Sequence, residues 1–371
     1  MHPQIRILNP FYVGVLLLAG LSLSQIVLGK KKFGFNTVDF LLLLFCFTFL
    51  VSTFLADNVV NSGYLAFRAV FIPIITYFTI KMIAGDSEKI FNNILNTLLL
   101  GTVFFIIIAL IHLNTFGRGL GGFLSRTPVG ASELGCFVFF WFCYTDLHKK
   151  IWGKIVIILS LAFVFMTFSR VSFLSILVSP FLIYLIRRNY VMSFFVLLFP
   201  VLLMLTILIP FNKDLFRHNY VPSSSVSTIK RVLEPDLYKK AFVGRAIQFS
   251  KGLQEFKKNP ILGTGIKKSK LGIGKQSSKS HISTHNFHIE WLEYSGIIGY
   301  FFISSAFLVF FWRQKKIIVH DNQSAILFSL IIVTFLNSAS NGIMHGIRPE
   351  LIFIFMGFIE GKRKIIQLAE F

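Results

Sequence analysis

Apolar residues in this chain come in long continuous runs, without the period-two alternation of half-buried strands. Eleven runs stand out, near residues 10–28, 38–55, 63–84, 94–113, 127–147, 152–168, 171–187, 190–211, 287–312, 323–340 and 345–361. Runs of about 17 to 25 apolar residues can cross a hydrocarbon core as helices, and their continuity argues against a β-barrel. The pattern predicts an all-α polytopic membrane helix bundle of about 11 transmembrane helices, one domain over residues 1–371. A single long hydrophilic segment, residues 212–284, interrupts it and is expected to be an extramembrane loop.

Composition agrees with that class: 54% of the 371 residues are hydrophobic, 14% are charged and 45 are phenylalanine. The first run, Phe11 to Leu28, is followed by Lys30, Lys31 and Lys32 with no small-residue cleavage site, so it reads as a span and not as a cleaved signal. Cys46, Cys136 and Cys143 all fall inside apolar runs, where they act as small hydrophobes and offer no disulfide framework.

The net charge of +21 is distributed unevenly. One alternating set of short connections holds Lys30 to Lys32, Lys81, Lys89, Lys149, Lys150, Lys154, Arg187, Arg188, Arg313, Lys315, Lys316 and Lys362 to Lys364. The other set holds only Arg6, Arg118, Arg126, Arg170 and Arg348. The positive-inside rule makes the first set cytoplasmic, which puts the N-terminus outside and the C-terminus inside. The segment from Phe211 to Thr284 then lies outside, although it has 15 Lys and Arg against 4 Asp and Glu. Long loops escape the rule, and a basic outer loop beside a bilayer suits an anionic partner such as lipid head groups, pyrophosphate or acidic sugars. Nothing in the pattern points to nucleic acid.

Few polar residues interrupt the spans. Arg68 precedes Pro73 in the third run and has two readings, a functional residue facing the bundle interior or an arginine snorkelling to the outer interface. The outer connection Asn114 to Arg126 is glycine-rich and carries Arg118 and Arg126, with Glu133 just beyond. Arg170 sits in TFSRVSF at a tight helical hairpin, a rigid mounting for an anion-binding guanidinium or simply an interfacial arginine.

Inside the loop, Lys240 to Lys258 places Phe249, Leu253 and Phe256 at the spacing of an amphipathic surface helix, which Asn259 and Pro260 end. Arg245, after Gly244, stands at its start. The following ILGTGIKKSKLGIGK lacks the spacing of a P-loop, so nucleotide hydrolysis is not supported.

The stretch STHNFHIEWLEYSGIIG, Ser283 to Gly299, joins the loop to the ninth run. Ser283 or Thr284 is expected to cap the helix, leaving His285 at the junction, where its near-neutral pKa suits proton abstraction from a sugar hydroxyl. His288 follows three residues on, but the spacing is not that of the zinc-protease motif and no third ligand is evident, so no metal and no cofactor is expected. Gly296 and Gly299 allow close helix approach.

His285 and Asn286, nine residues, Gly296, two residues and Gly299 together resemble the signature of the O-antigen ligase and polymerase superfamily: His, then Asn, Ser or Gln, nine residues, Gly, two residues, then Gly, Thr or Tyr. Gly244-Arg245, Pro260-Ile-Leu-Gly263-Thr-Gly265 and Ser169-Arg170 are similar to further family motifs. The resemblance runs from about Thr127 to the end. It implies a multi-pass inner-membrane glycosyltransferase that works at the periplasmic face on an undecaprenyl-pyrophosphate-linked glycan. His285 would be the base, Arg170 and Arg245 the pyrophosphate ligands, and Asn286, Arg126, Arg68 and His288 secondary candidates. The acceptor would be the lipid A core for a ligase or a second lipid-linked repeat for a polymerase, with membrane lipids around it. Family members have twelve spans and both ends cytoplasmic, one helix more than the pattern here. A reading from another class, a transporter or flippase of lipid-linked sugars, would call for internal repeats that the chain does not show.

Overall fold

The computed structural model describes residues 10–29, 34–111, 128–166, 170–188, 247, 249–266, 286–339 and 348–369. These residues are helical, with no strand among them. In chain order the helices are α1 (Pro10–Val27), α2 (Thr37–Phe54), α3 (Val59–Ala66), α4 (Ile72–Ala84), α5 (Glu88–Ile111), α6 (Pro128–Tyr144), α7 (Ile151–Met166), α8 (Arg170–Ile186), α9 (Phe287–His320), α10 (Asn322–Ala339) and α11 (Arg348–Ala369). Residues 249–258 form a further short helix within the long loop.

The expectation of about 11 spans is corrected. Among the described residues four helices are long and apolar enough to cross a membrane: Thr37–Phe54, Val59–Ala84, Glu88–Ile108 and Phe287–His320. The apolar helical stretches Val13–Val27, Glu133–Cys143, Ile151–Val164 and Asn322–Leu336 are shorter, and a helix rises only about 1.5 Å per residue. An apolar run in sequence counts residues; a span needs enough of them in helix. The run at 190–211 lies outside the described residues. Several long apolar helices are consistent with a membrane protein.

The span Val59–Ala84 is continuous because a π-helical turn, Phe67–Phe71, joins α3 to α4. Pro73 has no N–H to donate, and a local shift of hydrogen-bond register next to it lets the helix continue. Arg68 is on this turn, and its side chain is exposed.

Two helix pairs set the frame. α4 lies against α11, where a Cβ on Gly357 would come 2.7 Å from the Tyr77 carbonyl oxygen and one on Gly361 would come 2.9 Å from Ala84 Cβ. These glycines are four residues apart, the small-residue spacing that lets membrane helices approach backbone to backbone. α2 packs along α9, with Thr48 beside Gly299 near one end and Asn36 and Gln314 both bonded to Glu360 at the other. The two helices are therefore antiparallel there.

At that second end a buried polar network ties four helices. Asn36 caps α2 and Asp39 returns the bond, a capping box that satisfies two backbone donors reciprocally. Asp39, fully buried, accepts from Tyr77 Oη at 2.8 Å and pairs with Lys81. Asn36 Nδ2 and Gln314 Nε2 donate to the two Glu360 oxygens at 3.1 and 2.8 Å. Lys81, read in sequence as part of a basic connection, is instead a buried partner of Asp39.

Candidate functional site

α9 is two limbs. Gly296 has φ 65° and ψ −171°, outside the helical region and open only to glycine in practice. The first limb, residues 287–295, folds back along the second. Nδ1 of His288 lies 3.0 Å from Tyr300 Oη. Trp291 stacks on Phe307 with ring centroids 6.0 Å apart, although 16 residues on a straight helix would separate them by about 24 Å. Phe307 also meets Phe335 of α10 and Phe353 of α11, at 5.9 and 6.2 Å, so the folded limb is packed into the centre of the bundle.

Reversing the chain at Gly296 breaks the helical hydrogen bonds that Ile297 and Ile298 would make to Glu293 and Tyr294. The distal end of the basic loop replaces them. Ile297 N–H donates to the Pro260 carbonyl at 2.9 Å and Ile298 N–H to that of Ile261 at 3.3 Å. In return the freed carbonyls of Glu293 and Tyr294 accept from Thr264 N–H at 2.9 Å and Gly265 N–H at 3.1 Å. Four backbone groups that a break would strand are all paired, as a low-dielectric interior demands.

This crossing explains the glycines. A Cβ on Gly296 would lie 2.2 Å from the Ile261 oxygen, and one on Gly263 would lie 2.5 Å from both the Gly296 nitrogen and the Tyr294 carbonyl. Gly263 and Gly265 themselves have φ of 77° and 67°. Ser52 of α2 completes the joint, donating to the Tyr294 carbonyl and accepting from Gly265 N–H at 2.8 Å. The sequence reading missed Ser52, because one serine in an apolar run carries no signal of its own.

Asn286 caps the first limb, its Oδ1 accepting from His288 N–H at 3.0 Å and Ile289 N–H at 3.3 Å. The expected cap at Ser283 or Thr284 is thus corrected: Asn286 itself holds that position, its extended backbone leaving its amide free to bond forward. Glu290 and Glu293 are fully buried on the limb, and Glu133 is buried on α6. His288 is half-buried between Phe287, Tyr300 and Phe335. Gly299 is buried, with Thr48 Oγ1 3.1 Å from where a Cβ would stand.

His285, Arg245, Arg118 and Arg126 lie outside the described residues. Arg170 is the first residue of α8. The structure joins Gly296 to the Pro260–Gly265 segment and puts Asn286 and His288 on the limb that ends at Gly296, while Arg68 is on the turn between α3 and α4.

Residues 155–304 match the family model described as O-antigen ligase. The chain carries an O-antigen ligase domain. No curated protein and no solved structure matches the chain. The O-antigen ligase domain includes α8, the loop helix and both sides of the crossing at Gly296, while Ser52, Phe335 and Phe353, which hold the crossing and the limb from outside, come from helices beyond it. The match supports a general glycosyltransferase role of the ligase or polymerase type.

Proposed function

We propose that the chain moves a glycan from an undecaprenyl-pyrophosphate carrier to an acceptor hydroxyl, the lipid A core, at the periplasmic face of the bacterial inner membrane, without a metal. The observation supporting this reading is the joint between the basic loop and the broken helix. Arg245 precedes the loop helix 249–258 by four residues, and that helix leads directly into the segment bonded at Gly296. The chain that follows His285 is held too, since the limb begins at the Asn286 cap. The segment that ends the loop helix and the limb that follows the candidate base are thus bonded to each other, and proximity catalysis needs its groups on such tied elements.

In the reaction His285 takes the proton of the acceptor hydroxyl as its oxygen attacks the anomeric carbon. The bond from that carbon to the pyrophosphate oxygen breaks, and undecaprenyl pyrophosphate leaves. Arg170 and Arg245 hold the pyrophosphate and offset its growing charge. Attack from the opposite face inverts the anomeric configuration. The donor's own pyrophosphate linkage supplies the driving force, so no nucleotide is needed.

The test is transfer by purified His285→Ala in detergent. Folding should be unchanged and the rate should fall about 10²- to 10⁴-fold; near wild-type turnover would remove His285 from the role. Arg245→Lys retains charge but not the bidentate fork, and a fully active variant would exclude bidentate binding. In a strain lacking the gene, core without polymer and long chains accumulating on the carrier support the ligase reading. Core bearing a single repeat would make the chain a polymerase.

A further inference from the structure

The buried network at the far end of the bundle borders a pocket of about 250 Å³. Its charged lining is Lys81 of α4, Arg313 of α9, Arg363 and Lys364 of α11, with the carboxylates of Asp86 and Glu360. Positive charge is in excess, four cations against two anions. Lys81 already pairs with Asp39, and Glu360 already accepts from Asn36 and Gln314.

The two arginines are less well satisfied. Arg313 Nε and Arg363 Nη1 are buried donors with no hydrogen-bond partner, and Arg313 Nε is 3.7 Å from the nearer Glu360 oxygen. Burial, together with the nearby Arg313, pushes the Arg363 guanidinium below its usual value. Buried guanidinium donors on residues that line a polar pocket are a standing demand for acceptor oxygens, and a tetrahedral oxyanion can meet several at once. Ile26 of α1 and Met82 of α4 give the same pocket an apolar edge. It lies at the end of the bundle where the basic helix ends gather, which the positive-inside rule makes cytoplasmic. Basic pockets between membrane helices at that level suit phosphorylated head groups.

We propose that this pocket is a phosphate-ester site filled by the head group of an anionic phospholipid, with Arg313, Arg363 and Lys364 as ligands and an acyl chain leaving past Ile26 and Met82. The site is separate from the crossing at Gly296 and does not depend on the glycan reaction.

The experiment compares purified full-length protein in nanodiscs of phosphatidylcholine alone and with added phosphatidylglycerol, and in detergent with inorganic phosphate. Readouts are the thermal midpoint and lipid retained per chain by native mass spectrometry. Phosphatidylglycerol should raise the midpoint by about 2–4 °C and stay bound at one per chain. Arg363→Gln with Lys364→Gln should abolish both effects. Lys315→Gln with Lys316→Gln removes as much charge from exposed positions on the same face and should abolish neither. Equal midpoints in the two lipids, or equal losses in the two double variants, would overturn the site. Stabilisation by inorganic phosphate matching that of the lipid would overturn the lipid as its source. Should Arg363→Gln with Lys364→Gln fold poorly, Arg363→Lys alone keeps the charge and should weaken retention through loss of the fork.

Discussion

Gly263 and Gly296 meet backbone to backbone: a Cβ on Gly263 would lie 2.5 Å from the Gly296 nitrogen, and one on Gly296 would lie 2.6 Å from the Gly263 nitrogen. Neither can take a side chain without parting the loop from the helix. Two motifs about thirty residues apart in sequence are therefore one structural element.

Gly296→Ala should be severely destabilising. Its φ and ψ alone cost about 1–3 kcal/mol for a residue with a Cβ, before the contact with the Ile261 oxygen is counted. Gly101→Ala on α5, where nothing lies within 4 Å of a Cβ, is the matched control and should change little. Thermal midpoints of both variants in detergent check this, and a Gly296→Ala protein as stable as the control would refute the crossing.

Ser52→Ala removes the hydroxyl that bridges Tyr294 and Gly265 while leaving the four exchanged backbone bonds in place. A loss of about 0.5–1.5 kcal/mol is expected for the side-chain bridge, since Gly265 N–H keeps its bond to the Tyr294 carbonyl. Protease should also cut the loop near residues 260–266 faster than in the parent, because its anchorage to α2 is lost. Unchanged cleavage would mean that the backbone exchange alone holds the segment.

Asn286→Ala should cost about 0.5–2 kcal/mol through loss of the cap and should lower the transfer rate, as the start of the limb frays next to His285. Asn286→Asp keeps a side-chain acceptor and should retain the stability. If both variants lost stability equally, capping would not be the role of this position. The same physics accounts for the family pattern, in which Asn, Ser or Gln stands here: all three can offer an oxygen to a helix start.

Asp39→Asn should destabilise by about 3–5 kcal/mol, since it leaves Lys81 buried beside a neutral group. Asp39→Leu combined with Lys81→Met removes both charges and should recover most of that loss. Equal midpoints for the single and double variants would show that Tyr77, not the charge pair, dominates the network.

The sequence alone determined that the described residues are helical and apolar, and its motifs pointed to the O-antigen ligase family, because run length, charge and motif spacing are properties of neighbouring residues. It also located Gly296, as a residue that permits close helix approach, and Gly263 and Gly265, only as part of a motif similar to the family's. Only the tertiary structure decided that these glycines touch, that residues 287–295 fold back into the bundle, and that Ser52 and Asp39, single polar residues in an apolar run, are joints between helices. It decided as well that four helices among the described residues are long and apolar enough to span, since the course of a helix depends on its ends, on breaks such as Gly296 and on register shifts such as that at Phe67–Phe71. Those depend on which distant backbone groups are available to accept or donate the displaced hydrogen bonds, and no local pattern records that.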